Sequence, residues 1–124
     1  MLVAVGCSMK FRSQAIELIR RMRKTGIDPL FPDLEQTVEN RDVAATTDEK
    51  IRFAWNHYRA IEQAEAVYFL VPSGYMGTSC KLEVGYAIAM RKPIFFSEKT
   101  GDMGLDGYAK AFVHPDEIDR LKGF

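Results

Sequence analysis

From Ala66 to Val71 the chain runs through six consecutive residues rich in β-branched and aromatic side chains. A run of that length is too short for a bilayer and suits a strand whose two faces are both covered, as in the centre of a parallel sheet packed between helices. The flanking segments fit that frame. Leu2 to Val5 is a second apolar run ending at Gly6-Cys7-Ser8, and Ala15, Leu18, Ile19 and Met22 then recur at i, i+3, i+4 and i+7. This spacing is that of an amphipathic helix. Gly26 follows the basic turn at Arg23 and Lys24 as a helix C-cap would, and Asp28 to Phe31 reads as a short strand closed by Pro32.

Asp33 to Thr46 is polar, charged and without period, which reads as a mobile loop over the sheet edge, a candidate lid. Thr46 with Glu49 three residues on forms a capping box, after which Ile51, Trp55, Tyr58 and Ile61 recur at helical spacing to about Gln63. After the central strand comes a turn-rich loop, Pro72 to Gly77, and Thr78 or Ser79 can cap a helix continuing through Ala89. That helix is apolar nearly all round, with Leu82, Val84, Tyr86, Ala87, Ile88, Ala89 and Met90, and is expected to be largely buried. Pro93 opens a strand at Ile94 to Phe96, a last strand lies near Ala111 to Val113, and Pro115 starts a terminal helix with acids in its first turn.

Strands alternating with helices predict an α/β, flavodoxin-like, three-layer domain with a five-stranded parallel sheet in the order 2-1-3-4-5. In that order the switch point falls between strands 1 and 3, so the loops at 6–11 and 72–79 should converge on a ligand site. The 124 residues suffice for one domain spanning 1–124. Seventeen basic residues balance seventeen acidic ones, so no long-range field draws the chain to nucleic acid or an anionic membrane. The N-terminus reads as a strand rather than a signal peptide, and two cysteines, Cys7 and Cys80, fit a reducing, cytoplasmic setting without a disulfide framework or metal-ligand spacing.

Several residues in the converging loops could carry chemistry. Gly74 and Gly77 would let backbone amides approach a phosphate or carboxylate at the third helix, or could serve a plain turn. Glu83 either complements the helix dipole or is a functional carboxylate, since Leu82 and Val84 beside it imply desolvation that is costly for an unpaired charge. His57 faces or borders the sheet, as a packed histidine or as a proton carrier. Phe11, Trp55 and Tyr75 could stack on a base or fill core and rim, and Cys7 and Cys80 read first as small buried hydrophobes. Lys10 and Arg12 are the basic residues on hand for a phosphate. Arg20, Arg21, Arg23 and Lys24 read as a solvated helix face.

Three blocks carry a resemblance: Gly6-Cys7-Ser8-Met9-Lys10-Phe11, then His57-Tyr58-Arg59-Ala60-Ile61-Glu62-Gln63-Ala64-Glu65, then Gly74-Tyr75-Met76-Gly77-Thr78-Ser79 followed by Glu83-Val84-Gly85-Tyr86-Ala87. Together they resemble the nucleoside 2-deoxyribosyltransferase superfamily, which includes the nucleoside 5′-monophosphate N-glycosidases, over roughly residues 1 to 98. The third block is the most specific. The resemblance implies that Glu83 is a nucleophile attacking the anomeric carbon of a sugar, and that Gly6, Ser8, Gly77, Thr78 and Ser79 hold sugar hydroxyls or a 5′-phosphate. Cys7, Met9, Phe11, Asp33, Gly74 and Tyr75 complete the candidate substrate-binding set. Many active members carry an aspartate on the helix before the third strand that assists the leaving base. His57 stands there in this chain, and a histidine can do general acid work. The resemblance further implies a small-molecule nucleoside or nucleotide as partner, no metal or other cofactor, and a homodimer or larger assembly. A nucleotide-binding sensor of the same fold, without turnover, is the alternative.

Overall fold

The computed structural model describes residues 1–32 and 46–124. Five strands form one parallel sheet in the order β2-β1-β3-β4-β5: β1 (Leu2–Gly6), β2 (Asp28–Leu30), β3 (Ala66–Phe69), β4 (Ile94–Phe96) and β5 (Ala111–Phe112). The flavodoxin-like order is the predicted one. Register pairs Val3 with Ala66 and Gly6 with Phe69, so β1 and β3 end side by side.

Alternation along β1 sends Val3 and Val5 to one face and Ala4 to the other, and each face acquires its own core. On the first face lies α1 (Arg12–Lys24), whose Ala15, Leu18, Ile19 and Met22 are all buried, together with a terminal 3-10 helix (Pro115–Gly123) contributing Ile118 and Leu121. On the second lie α2 (Thr47–Gln63) and α3 (Thr78–Ala89), contributing Ala60, Ile61, Val84 and Ala87 against Ala4, Val67, Phe69 and Phe96. β3 is buried at all four positions, as a strand covered on both sides must be.

The local signals are those the residues dictate. Gly26 takes a φ of +84° just past α1, and the Thr46 hydroxyl accepts from the Glu49 N–H at 3.1 Å to start α2. At the far end of the sheet the Tyr68 hydroxyl donates to the Val113 carbonyl at 2.7 Å, and burial pushes that phenol far above its ordinary pKa. The buried Ser97 hydroxyl accepts from the Val71 N–H at 2.8 Å. These bonds fix the carboxyl ends of β3, β4 and the segment after β5 relative to one another.

In α2 the buried residues are His57, Ala60 and Ile61, and Ile51 and Trp55 are exposed. Three expectations are corrected. α3 is not buried all round: Leu82 is 59% exposed, and Ile88 and Met90 are exposed too, because only one side of the helix meets the sheet. Neither Thr78 nor Ser79 is its N-cap; Gly77 is, with no side chain capping the first turn. The terminal helix is of the 3-10 kind, bent at Glu117, and a short helix α4 (Met103–Asp106), capped by the Asp102 carboxylate, precedes β5. The expected loop from Asp33, that residue included, lies outside the described residues apart from Thr46.

Candidate active site

Where β1 and β3 end, the chain leaves the sheet in opposite directions, and the space between becomes a cleft of about 470 Å³. Among the described residues its walls come from three places. The loop after β1 supplies Cys7, Ser8, Met9 and Lys10; the start of α3 supplies Gly77, Thr78, Ser79, Cys80 and Glu83; and α2 supplies Lys50, Phe53, Ala54 and His57. The α2 residues stand at i, i+3, i+4 and i+7, which is one face of a helix. The loops after β1 and β3 also touch each other: Phe11 meets Tyr75 edge-on with ring centroids 5.8 Å apart, and Lys10 Nζ lies 3.4 Å from the Tyr75 ring centre.

At the inner end sit the two ionisable side chains that the chain buries most deeply there, Glu83 at 6% exposure and His57 at 8%. His57 Nδ1 is 3.4 Å from Glu83 Oε1. A buried carboxylate is costly to desolvate, and this pairing offsets part of that cost. The negative charge of Glu83 is also felt at Tyr58, whose phenol is raised first by burial and then by that carboxylate. Beneath the pair lies Gly6: a Cβ there would fall 3.3 Å from Glu83 Oε1 and 2.8 Å from two atoms of the Phe69 ring. Only glycine leaves the carboxylate where it is.

Of the residues singled out from sequence, Cys7, Ser8, Met9, His57, Gly77, Thr78, Ser79 and Glu83 line the cleft, with Gly6 behind it. Phe11 and Tyr75 pack on each other and are not among its lining residues. Gly74 plays another part: its φ is +78°, and a Cβ would meet the Lys99 carbonyl oxygen at 3.0 Å, so it lets the loop dock on the segment after β4. Arg12 is not among the lining residues, whereas Lys50, Phe53 and Ala54 are and were not singled out. The signal that could have found them is their helical spacing from His57. Among the described residues no group of three His, Cys, Asp or Glu side chains could hold a metal ion, and no helix is long and apolar enough to cross a membrane.

The fold is that of a 2-deoxyribosyltransferase. The enzyme from the psychrotolerant Bacillus psychrosaccharolyticus superposes with a TM-score of 0.69 at 16% identity, over 96% of this chain and 90% of that one. The CMP N-glycosidase BcmB of Clostridium botulinum gives 0.57 at 18% identity over the whole of both chains. A conserved protein from Enterococcus faecalis V583 gives 0.68 at 12% identity over 98% of each. No family model matches the sequence, and no curated protein matches it.

Proposed function

We propose that this chain cleaves or transfers at the N-glycosidic bond of a nucleoside or nucleotide, with Glu83 as the nucleophile. The observation that carries the reading is the buried carboxylate, held beside an imidazole at the end of an open cleft, in the fold shared with a deoxyribosyltransferase and a CMP N-glycosidase. The carboxylate keeps its Oε1 beside Gly6 and the His57 imidazole, and the residue lines the cavity. Its oxygen attacks the anomeric carbon, the bond from that carbon to the base nitrogen breaks, and the electron pair leaves with the base. His57, as imidazolium, supplies a proton to the departing base. Water or a second base then attacks the same carbon, which releases the free sugar or a new nucleoside and regenerates the carboxylate. Neutral His57 takes the proton that the water or the incoming base loses.

Incubation with a panel of nucleosides and their 5′-monophosphates, ribo and deoxy, tests the proposal by release of free base. Tight binding of one of them with no base released by any would replace it with the non-catalytic, ligand-binding reading.

We also infer association into a dimer or larger assembly through α2 and α3. Their outer side carries Ile51, Trp55 at 46% exposure, Leu82 and Ile88, beside a cluster in which Tyr58 stacks on Tyr86 at 4.9 Å and Trp55 meets both rings edge-on. Monomers seldom leave such a surface uncovered. Light scattering at micromolar concentration is expected to give at least twice the 14.1 kDa chain mass. A monomer would remove this inference and leave the chemistry untouched.

A further inference from the structure

We propose that Asp106, on α4 and outside the cleft, is a positioning residue: it clamps the turn after β4 against Gly74 and so fixes where Gly77 to Ser79 stand in the candidate active site. The consequence for catalysis rests on the N-glycosidic reading; the mechanical link between turn and loop does not.

The loop after β3 is short and sharply bent. Its bend runs through two successive left-handed residues, Ser73 at φ +55° and Gly74 at φ +78°. Glycine adopts this conformation freely, whereas a serine in it costs energy and stays there because its surroundings hold it. At the base of the bend the Val71 N–H donates to the buried Ser97 hydroxyl at 2.8 Å. At its tip Gly74 lies against the turn after β4: a Cβ there would meet the Lys99 carbonyl oxygen at 3.0 Å and the Thr100 carbonyl oxygen at 3.1 Å. From the bend the chain passes through the buried Met76 to Gly77, Thr78, Ser79 and Cys80, which line the cleft ahead of Glu83.

Those two carbonyls can serve as a stop only if their own turn is held, and Asp106 holds it. Its Oδ1 accepts from the Thr100 N–H at 2.9 Å and from the Thr100 hydroxyl at 2.7 Å, and its Oδ2 accepts from the Gly101 N–H at 3.1 Å. The Thr100 hydroxyl in turn accepts from the Asp102 N–H at 3.1 Å. Desolvation by itself would raise the Asp106 carboxyl, but the bonds from Thr100 and Gly101 and the charge of Lys99 outweigh it and hold the group below the usual carboxylate range. The clamp is therefore ionised at neutral pH, and bonds to an ionised acceptor are roughly twice as strong as neutral ones. Asp106 does not line the cleft, so it acts through the backbone it holds.

With the clamp released, the turn gives way, the bend at Ser73 and Gly74 relaxes, and Gly77 to Ser79 lose their fixed position. Glu83 keeps its own seat beside Gly6 and His57. The loss then falls on ligand binding more than on chemistry, so KM and Kd rise while kcat changes little. A carboxylate that merely stabilised the fold would do the reverse: fewer folded molecules lower the apparent kcat and leave KM alone.

The experiment compares the wild type with Asp106→Ala, Asp106→Asn, Gly74→Ala and the double variant of Asp106→Ala with Gly74→Ala. Hydrogen exchange followed by mass spectrometry reads the loop without any ligand. Asp106→Ala is expected to speed exchange in peptides spanning 75–81 by about tenfold, the worth of one bond to a charged group, and to leave those of α1 unchanged. Asp106→Asn keeps an acceptor for Thr100 but turns an amide N–H2 toward Gly101, and should fall between. Gly74→Ala pushes on the same contact from the loop side and should reproduce the change, and the double variant should add little to either, since both break one contact. Unchanged exchange at 75–81 in Asp106→Ala, or additive effects in the double variant, would overturn the proposal; if Gly74→Ala fails to fold, the two Asp106 variants decide alone. Base release from adenosine, cytidine, uridine and inosine, ribo and deoxy, and from their 5′-monophosphates is then expected to show KM raised about tenfold in Asp106→Ala, with kcat within about twofold of the wild type. KM unchanged, with kcat lowered in step with the melting temperature, would overturn the positioning role and leave glycosidic cleavage standing. If the wild type binds one of these compounds and releases no base from any, faster exchange with a raised Kd in Asp106→Ala supports the positioning role while removing the cleavage reading.

Discussion

Replacing Glu83 by glutamine is expected to lower base release by three orders of magnitude or more, with the fold retained and ligand affinity changed little. Glutamine keeps the shape of the side chain and most of its hydrogen bonding next to His57, but its amide cannot form a glycosyl ester, so binding and chemistry separate. A carboxylate that served only the helix dipole would instead show a loss of about 1 kcal/mol or less of stability and no effect on turnover. A base-release assay, a thermal melt and a titration on both proteins decide between the two. Retention of most of the wild-type rate would end the assignment of the nucleophile. The position of His57 can then be probed with His57→Asp, which exchanges the imidazole for the carboxylate that the sequence resemblance implies there, and a rate unchanged by it would remove the proton-donor role of His57.

The second large effect is expected at a residue without a side chain. Gly6→Ala would place a methyl group 2.8 Å from the buried Phe69 ring and 3.3 Å from Glu83 Oε1. The ring belongs to a close-packed core and has little room to give, so overpacking should cost about 1–3 kcal/mol, visible as a lower melting temperature. The carboxylate is the softer neighbour, and a shift of its oxygen of about 1 Å is enough to cost about a hundredfold in rate. Gly85→Ala supplies the control: nothing lies within 4 Å of a Cβ there, and in a helix interior alanine should stabilise by about 0.5–1 kcal/mol. Equal melting temperatures and equal rates for Gly6→Ala and the wild type would mean that the carboxylate is not seated against that backbone.

Much of this architecture is written in apolar spacing. The buried face of α1, the doubly covered β3 and the sheet order all follow from runs and periods, because burial on one side of a helix or both sides of a strand leaves a pattern that survives in one dimension. α3 is the counter-case. With apolar residues all round its circumference, its sequence has no period to reveal which side meets the sheet, and Leu82 and Ile88 were assigned to an interior that does not reach them. Lys50 failed to show for the opposite reason. A lysine early in a helix has the appearance of any solvated residue, and only the path of the chain puts it on the same wall as His57. The burial of Glu83 agrees with the buried Val84 on one side of it, whereas Leu82 on the other side is exposed, so only half of the local pattern pointed the right way. The short α4 and the 3-10 form of the C-terminal helix depend on bonds such as the Asp102 cap and the His114 imidazole accepting from the Asp116 N–H, which no hydrophobic period encodes.

The outer strands of the sheet are unusually poor in what another strand would need. β2 has three residues, the middle one Pro29, and β5 has two. Proline offers no N–H, and two residues provide too short a ladder to template an incoming segment. Among the described residues, growth of the sheet from copy to copy, whether into a continuous intermolecular sheet or a fibril, therefore finds no foothold at either rim. Crowding many copies together should favour contact between helix surfaces and leave the strands of each molecule to themselves.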